Sequence, residues 1–374
     1  MSISASLFEE IPVAAPPTEG IKYAGSKQKL LPQILMLARK TGAKSVLDGF
    51  GGSTRVSQAF ARDGYRVICN DRAVWTETFA TCFLKASSNS SRYKDLINYL
   101  NAMSPRSGWY TEHYGGVADN SEGGVKRPWQ IHNTMKLDAI RDEIDRLQLG
   151  YIDKAVALTS LILALDKVES TLGHFASYLR EWSPRSFQIL QMKVPLIVPT
   201  SECHEVTRED IFKIAPTEHV DLAYYDPPYG SNNEKMPPSR VRYSAYYHIW
   251  TTICNNDRPA LFGKVNRRVD SSDSFDGSVF EEFRKDSNGK FISVEAIRQL
   301  LLQTNAPWII LSYSTGGRAT AEELNLAIES CGRVREILEI DHRENVMASM
   351  KWTNEWLRDA VVPNREMLFL IEKK

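Results

Sequence analysis

The 374-residue sequence has no CxxC pair among its five cysteines (Cys69, Cys82, Cys203, Cys254 and Cys331) and no unbroken apolar run of membrane-spanning length. An odd number of scattered thiols argues against a disulfide framework. Without a signal peptide, it reads as a reduced, cytoplasmic protein. Cys203 and His204 are adjacent, but no second pair completes a zinc site, so no metal is expected. A helix that crosses a bilayer needs roughly 18 or more apolar residues, so no spanning segment is expected. An excess of one charge is missing too, since Lys+Arg and Asp+Glu both number 46. Whole-chain charge therefore gives no hint of a polyanionic partner.

What is present is the make-up of a globular α/β protein. Hydrophobic residues form 43% and charged residues 25%, close to globular averages, so a packed core is expected. The length suits one large domain with an insertion, or two domains. Residues 1–20 hold three prolines, three acids and no base, and read as a flexible tail. Residues 21–85 then alternate: a helix over 30–39, a strand over 45–48, a helix over 53–63 and a strand over 65–70. That order opens a doubly wound sheet. Residues 86–130 break the rhythm with Ser, Asn and Gly interleaved with Tyr93, Tyr99, Trp109, Tyr110, Tyr114 and Trp129. A helix follows on Leu137, Ile140, Ile144 and Leu147. Residues 152–168 are apolar nearly all round, which predicts a buried helix. Strands return at 221–225, 307–313 and 367–372, while 270–290 reads as a mobile polar loop. The expected division is residues 21–85 and 201–374 as a catalytic domain, with 86–200 as a mainly helical insertion.

Two motifs carry chemistry. In the first, an apolar strand delivers Asp48 to a glycine turn, Gly49-Phe50-Gly51-Gly52-Ser53-Thr54. Glycines let a ligand approach the backbone, but the acid comes first and the spacing departs from the GxGxxG of pyrophosphate sites. A carboxylate there suits a cationic amino-acid ligand better than a phosphate. The second strand ends in Asp71, placed like the acid that binds ribose hydroxyls about 20 residues after such a turn. The second motif is Asp226-Pro227-Pro228-Tyr229, behind the apolar Leu222-Ala223-Tyr224-Tyr225. An aromatic amine is a poor nucleophile because its lone pair is delocalised into the ring. Acceptors on both amino hydrogens localise that pair. Asp226 supplies one acceptor and the Pro227 carbonyl the other, while the prolines fix the backbone. Tyr229 offers a face on which a flipped base stacks.

These residues resemble the Dam-type family of DNA adenine methyltransferases. Lys22-Tyr23-Ala24-Gly25-Ser26-Lys27 resembles its N-terminal KWxGGK motif, DGFGGST its DxFxGxG motif, and DPPY its catalytic signature. Val206 to Phe212 resembles the segment before the catalytic strand, Gly173-His174-Phe175 a turn near DNA, and Leu311 to Ser314 a late SY strand. The resemblance implies a Rossmann-like sheet that binds S-adenosylmethionine (AdoMet) and methylates the 6-amino group of adenine in double-stranded DNA. It implies cofactor contacts from Tyr23, Gly25, Ser26, Lys27, Asp48, Phe50, Gly51, Gly52, Ser53, Asp71, Asp210 and Ile211. Lys22 is a candidate DNA contact. The glycine turn ends Gly-Gly-Ser where many relatives have GTG or GSG. The segment 243–248 (YSAYYH) looks more like methylases of type IIS restriction–modification systems. A cognate endonuclease acting separately is a possible partner, and no oligomer is required.

Residues 230–268 carry seven bases against two acids, either a phosphate-binding face or a solvated loop. The candidates there are Arg240, Arg242, Lys264, Arg267 and Arg268, with Lys126 and Arg127 from the insertion. A methyltransferase acting on RNA or protein amides, and a catalytically silent DNA-binding relative, remain as alternatives.

Overall fold

The computed structural model describes residues 14–88, 90–117, 127–179, 181–199, 202–229, 242–272, 277–282, 284–341 and 365–374. Lys126 and Arg240 fall outside these, as does most of the expected tail.

The core is a seven-stranded sheet: β1 Ser45–Asp48, β2 Arg66–Asn70, β3 Glu205–Thr207, β4 Leu222–Tyr225, β5 Trp308–Ser314, β6 Gly332–Asp341 and β7 Arg365–Lys373. Their spatial order is 3-2-1-4-5-7-6. Strands 3, 2, 1, 4 and 5 are mutually parallel, and β7 is antiparallel to both its neighbours. This is the doubly wound order 3-2-1-4-5-6 with one antiparallel strand wedged between 5 and 6. Parallel strands covered on both faces read as continuous apolar runs, and β4 is buried at all four positions.

Alternation along each strand splits the core in two. Val46, Val67, Leu222, Tyr224 and Ile310 join one apolar cluster, and Leu47, Ile68, Ala223, Tyr225 and Ile309 join the other. Successive side chains point to opposite faces, so these are the two sides of the sheet. On the second side lie α11 (Ile292–Gln303) and α12 (Ala321–Glu329), through Leu300 and Leu324. On the first side lie α1 (Leu31–Lys40), α2 (Arg55–Arg62) and α3 (Val74–Ala80).

The expected insertion forms α4 (Ser91–Asn101), α5 (Trp109–Tyr114), α6 (Ile131–Arg146) and α7 (Tyr151–Lys167) between β2 and β3. Its apolar residues are built into the first-side cluster: Leu137, Ile140, Leu161 and Leu165 share it with Val46 and Val67. The all-round burial of α7 from Ala155 to Asp166 follows from this enclosure. The short helices α8 (Ile211–Ile214) and α9 (Tyr243–Tyr246), with α10 (His248–Asn255), flank the ligand edge of the sheet.

Two sequence readings need correction. Residues 270–290, expected as a mobile polar loop, hold a packed segment. Val279–Glu281 forms a 3-10 turn, and Phe280 is buried against Phe212 and Phe50. Strand β6, not foreseen as a core strand, pairs along β7 from Gly332 to Asp341. Among the described residues, no helix is long and apolar enough to cross a membrane.

Candidate active site

In an open parallel sheet the ligand crevice forms where the winding reverses, beyond the carboxyl ends of the strands. Here that point lies between β1 and β4. A cleft of about 600 Å³ opens there, lined by Gly49 and Phe50 after β1, Asn70 and Asp71 at the end of β2, and Asp226 and Pro228 after β4. Tyr23, Trp75, Asp210, Ile211 and Phe280 complete its walls.

The glycine turn is shaped from within. Gly52 has φ +47°, and a Cβ there would meet the Tyr23 ring at 3.2 Å. Its N–H donates to Asp71 Oδ2 at 2.9 Å, while Ala73 N–H donates to Asp71 Oδ1 at 2.9 Å. Burial raises the Asp71 carboxyl, against the pull of these backbone donors. Asp48 is buried and does not line the cleft. Its Oδ2 accepts from Ser57 Oγ at 2.6 Å, its Oδ1 has no partner, and burial pushes its carboxyl up to about 7. Gly51 and Ser53 also stand back from the cleft lining. Asp210 caps α8 by accepting from Phe212 N–H at 2.9 Å, which presents Ile211 and Phe212 to the cleft.

The N-terminal motif folds as a tight turn, with Gly25 at φ +78° and Ser26 N–H donating to Tyr23 O. The 243–248 segment clamps it. Tyr247 accepts from Ala24 N–H at 2.7 Å, Tyr243 donates to Ala24 O at 3.2 Å, and Tyr23 stacks on Tyr247 with centroids 4.8 Å apart. The turn at Gly173-His174-Phe175 is fastened to α9, with Phe175 N–H on Tyr246 O and His174 stacked on Tyr246.

Lys27 stands with the catalytic motif and outside the cleft lining. Its side chain is 4% exposed, and Nζ lies 2.8 Å from Asp226 Oδ2 and 3.3 Å from Glu366 Oε1. It also donates to Gly25 O at 3.1 Å and reaches Tyr229 OH at 3.4 Å. Burial works against the ammonium, yet Asp226, with Tyr229 and Glu366 behind it, holds it well above its usual value. Burial raises Asp226, Lys27 opposes this, and Glu366 adds to the rise. Tyr229 packs against Tyr313 at 5.1 Å and donates to Glu366 Oε2 at 3.3 Å. Pro227 is buried and Pro228 lines the cleft. Asp226, Asp71, Gly49 and Phe50 therefore line one cleft, whereas Gly25, Ser26, Gly51, Gly52 and Ser53 do not line it. Glu366, Trp75, Tyr243, Tyr247 and Phe280 were missed as site residues.

The basic candidates fare differently. Arg268 is buried and cannot face phosphates: its guanidinium is bidentate to Asp257 at 2.7 Å and bonded to Asp270 at 2.7 Å. Lys22 is likewise engaged, by Asp166 at 3.3 Å and Glu169 at 3.4 Å. Arg267 donates to Ser271 O and lies over the Phe262 ring. Arg242 is half-buried at the start of α9, Arg127 is half-buried, and Lys264 is exposed.

Residues 23–299, more than half of the chain, match the family model for D12 class N6 adenine-specific DNA methyltransferases. The chain is 26% identical over 373 residues to modification methylase StsI of Streptococcus sanguinis, covering 95% of this chain and 52% of that one. It is 27% identical over 323 residues to modification methylase LlaI of Lactococcus lactis subsp. lactis, covering 81% and 48%. It is 24% identical over 328 residues to type II methyltransferase M.NlaIII of Neisseria lactamica, covering 85% and 88%. The chain thus spans about half the length of the first two and most of the third. The matched stretch carries the N-terminal turn, the glycine turn and the Asp226 turn that meet at this cleft, and on that ground the chain belongs to the D12 class of N6 adenine-specific DNA methyltransferases.

Proposed function

We propose that this protein transfers a methyl group from AdoMet to the 6-amino group of an adenine flipped out of duplex DNA, in one direct in-line step. The observation that carries the reading is Asp226 on the wall of the switch-point cleft, with one carboxylate oxygen held by Lys27. The cleft fits AdoMet in its donor set. Asp71, fixed by two backbone N–H groups, keeps lone pairs for ribose hydroxyls. Phe50, Ile211, Phe212 and Phe280 give an apolar slot for a planar base. Asp48, with an unpartnered buried oxygen behind the glycine turn, would be drawn toward its charged form by a cationic ligand. When bound, AdoMet supplies an electrophilic sulfonium methyl, so no covalent enzyme intermediate is needed.

The chain's own residues prepare the amine. Asp226 and the Pro227 carbonyl accept its two hydrogens and localise the lone pair, and Tyr229 offers its ring to the base. The turn fixes these groups relative to the cleft, so positioning and fixed charge supply the rate. Named relatives are modification methylases, and by that likeness the modified DNA would be protected from a separate endonuclease.

The test is incubation with methyl-labelled AdoMet and duplex DNA, RNA or protein, followed by nucleoside or amino-acid analysis. The expected product is N6-methyldeoxyadenosine from DNA, absent with Asp226→Ala although that variant still binds AdoMet. Label on RNA or protein only, or near wild-type transfer by Asp226→Ala, overturns the reading.

A further inference from the structure

We propose that Glu366 is a positioning residue for the Asp226 site. It shares the Lys27 ammonium between two carboxylates, so that Asp226 keeps one oxygen open and negatively charged toward the target amine. This inference rests on the methyl-transfer reading above. Glu366 sits on β7, outside all the motifs of the family resemblance, and is 1% exposed. A carboxylate so buried needs partners. Its Oε1 accepts from Ser312 Oγ at 2.7 Å and faces Lys27 Nζ at 3.3 Å, and its Oε2 accepts from Tyr229 OH at 3.3 Å. One side chain thus ties the SY strand, the N-terminal turn and the catalytic turn together.

An ammonium has three N–H donors. Asp226 Oδ2, Glu366 Oε1, Gly25 O and the Tyr229 hydroxyl compete for those three at Lys27, so no donor is left over. The lysine is therefore pinned to one oxygen of Asp226 and cannot swing across to the other. Charge gives the second half of the argument. Two carboxylates share one ammonium, which leaves the knot net negative. An amine that gains a methyl group gains positive charge, and fixed negative charge beside it lowers the barrier. Without Glu366, Lys27 would neutralise Asp226 undivided, and Asp226 would become a poorer acceptor.

The other groups facing Asp226 stay constant across this comparison. Tyr229 on the same turn, Tyr243 of α9, Tyr23 of the N-terminal turn and Tyr224 of β4 all have hydroxyls pushed up by burial, so they remain neutral. Asp48 at the end of β1, pushed up to about 7 by burial, and Asp71 after β2, also raised by burial, are the other acids around the cleft, and neither is altered in this comparison. Asp226 itself must be ionised to accept an amine hydrogen, so the acidic limb of the pH profile follows it. Lys27 lowers Asp226 and Glu366 raises it. Removing the Glu366 charge should therefore move that limb to lower pH. Were Glu366 only a brace for Lys27, its loss would free the lysine and move the limb to higher pH.

The experiment is single-turnover methyl transfer to duplex DNA against pH, with AdoMet titration, on the full chain. Wild-type protein that makes no N6-methyladenine refutes the methyl-transfer reading, and this proposal with it. If the wild type is active, Glu366→Gln should lower the transfer rate by roughly ten- to a hundred-fold, less than loss of a direct donor. Its acidic limb should lie at lower pH and its AdoMet affinity should be unchanged, since Glu366 does not line the cleft. Glu366→Asp, which keeps the charge, should return the limb to its wild-type position. Wild-type rate in Glu366→Gln, or a limb moved to higher pH, overturns the proposal. Should Glu366→Gln fail to fold, Ser312→Ala releases Oε1 without changing charge. A lower rate with an unmoved limb then supports the proposal, and a wild-type rate overturns it.

Discussion

Two regions bring charge to the ligand edge of the sheet, and they handle it in opposite ways. In the knot of Lys27, Asp226 and Glu366, side chains 4%, 17% and 1% exposed are held together across three distant parts of the chain, and the sum is left negative. In the stretch from Arg242 to Arg268, the sequence promises a positive face and the structure spends much of it. Arg268 is enclosed by Asp257 and Asp270, and Arg258 reaches Asp142 of α6 at 3.5 Å. Two of those carboxylates, Asp142 and Asp270, lie outside the basic stretch 230–268. A run of basic residues therefore measures surface charge only after the fold has chosen its partners, whereas in the buried knot the partners are fixed and each acts on the next with little screening by water.

The strongest way to break this comparison is to take the lysine out of the knot. Lys27→Met leaves Asp226 and Glu366 buried beside each other, and like charges so close cannot both stay ionised. Methyl transfer at neutral pH should fall by about 10²–10³-fold. The acidic limb should move to higher pH, because Lys27 is the group that lowers Asp226. The double variant Lys27→Met/Glu366→Gln removes both influences, so the two opposite displacements should partly cancel. A Lys27→Met profile superimposable on the wild type would show that the lysine has no bearing on Asp226. Next in size is Asp71→Ala. It should weaken AdoMet binding by roughly 1–3 kcal/mol through loss of the hydroxyl acceptor, and unchanged affinity in a calorimeter would remove Asp71 from the site.

The knot was only half legible in the sequence, and the reason is distance along the chain. Asp48 and Asp226 were readable because each ends a short apolar strand and abuts glycine or proline, and Asp71 because it ends the next strand about 20 residues after the glycine turn. Lys27 was readable as a motif member, but not as the partner of Asp226. Glu366 was invisible. It lies in a strand marked only by its apolar run, and it reaches the site because β7 is wedged antiparallel beside β5, with Glu366 opposite Ser314. Phe280 was hidden for another reason: it is one of three phenylalanines, with Phe275 and Phe283, in a Ser/Asp/Gly-rich stretch with no helical or strand periodicity to mark it. The sheet was legible from its runs, except β3, three half-buried residues with no apolar run, and β6, whose residues mix charged and apolar along β7. The acids that engage Lys22 sit at the end of α7 and beyond, where no local pattern connects them to the N-terminal turn.

The smallest predicted effects separate arginines that hold the fold from bases that meet DNA. Lys264 is exposed on the turn between the paired segments Leu261–Phe262 and Arg267–Arg268. If it meets a phosphate, Lys264→Ala should reduce the slope of log affinity against log salt by about 0.9, with thermal stability unchanged. Arg268→Ala should do the reverse. The buried guanidinium holds Asp257 and Asp270 together, but both acids are well exposed and regain water when it goes. The loss should therefore be about 1–2 kcal/mol, below that for a fully buried pair. The melting temperature should drop while the salt slope stays at its wild-type value. A shallower slope in Arg268→Ala with no loss of stability would return that arginine to the DNA face. An unchanged slope in both Lys264→Ala and Arg127→Ala would move the phosphate contacts off this edge and onto the helices between β2 and β3.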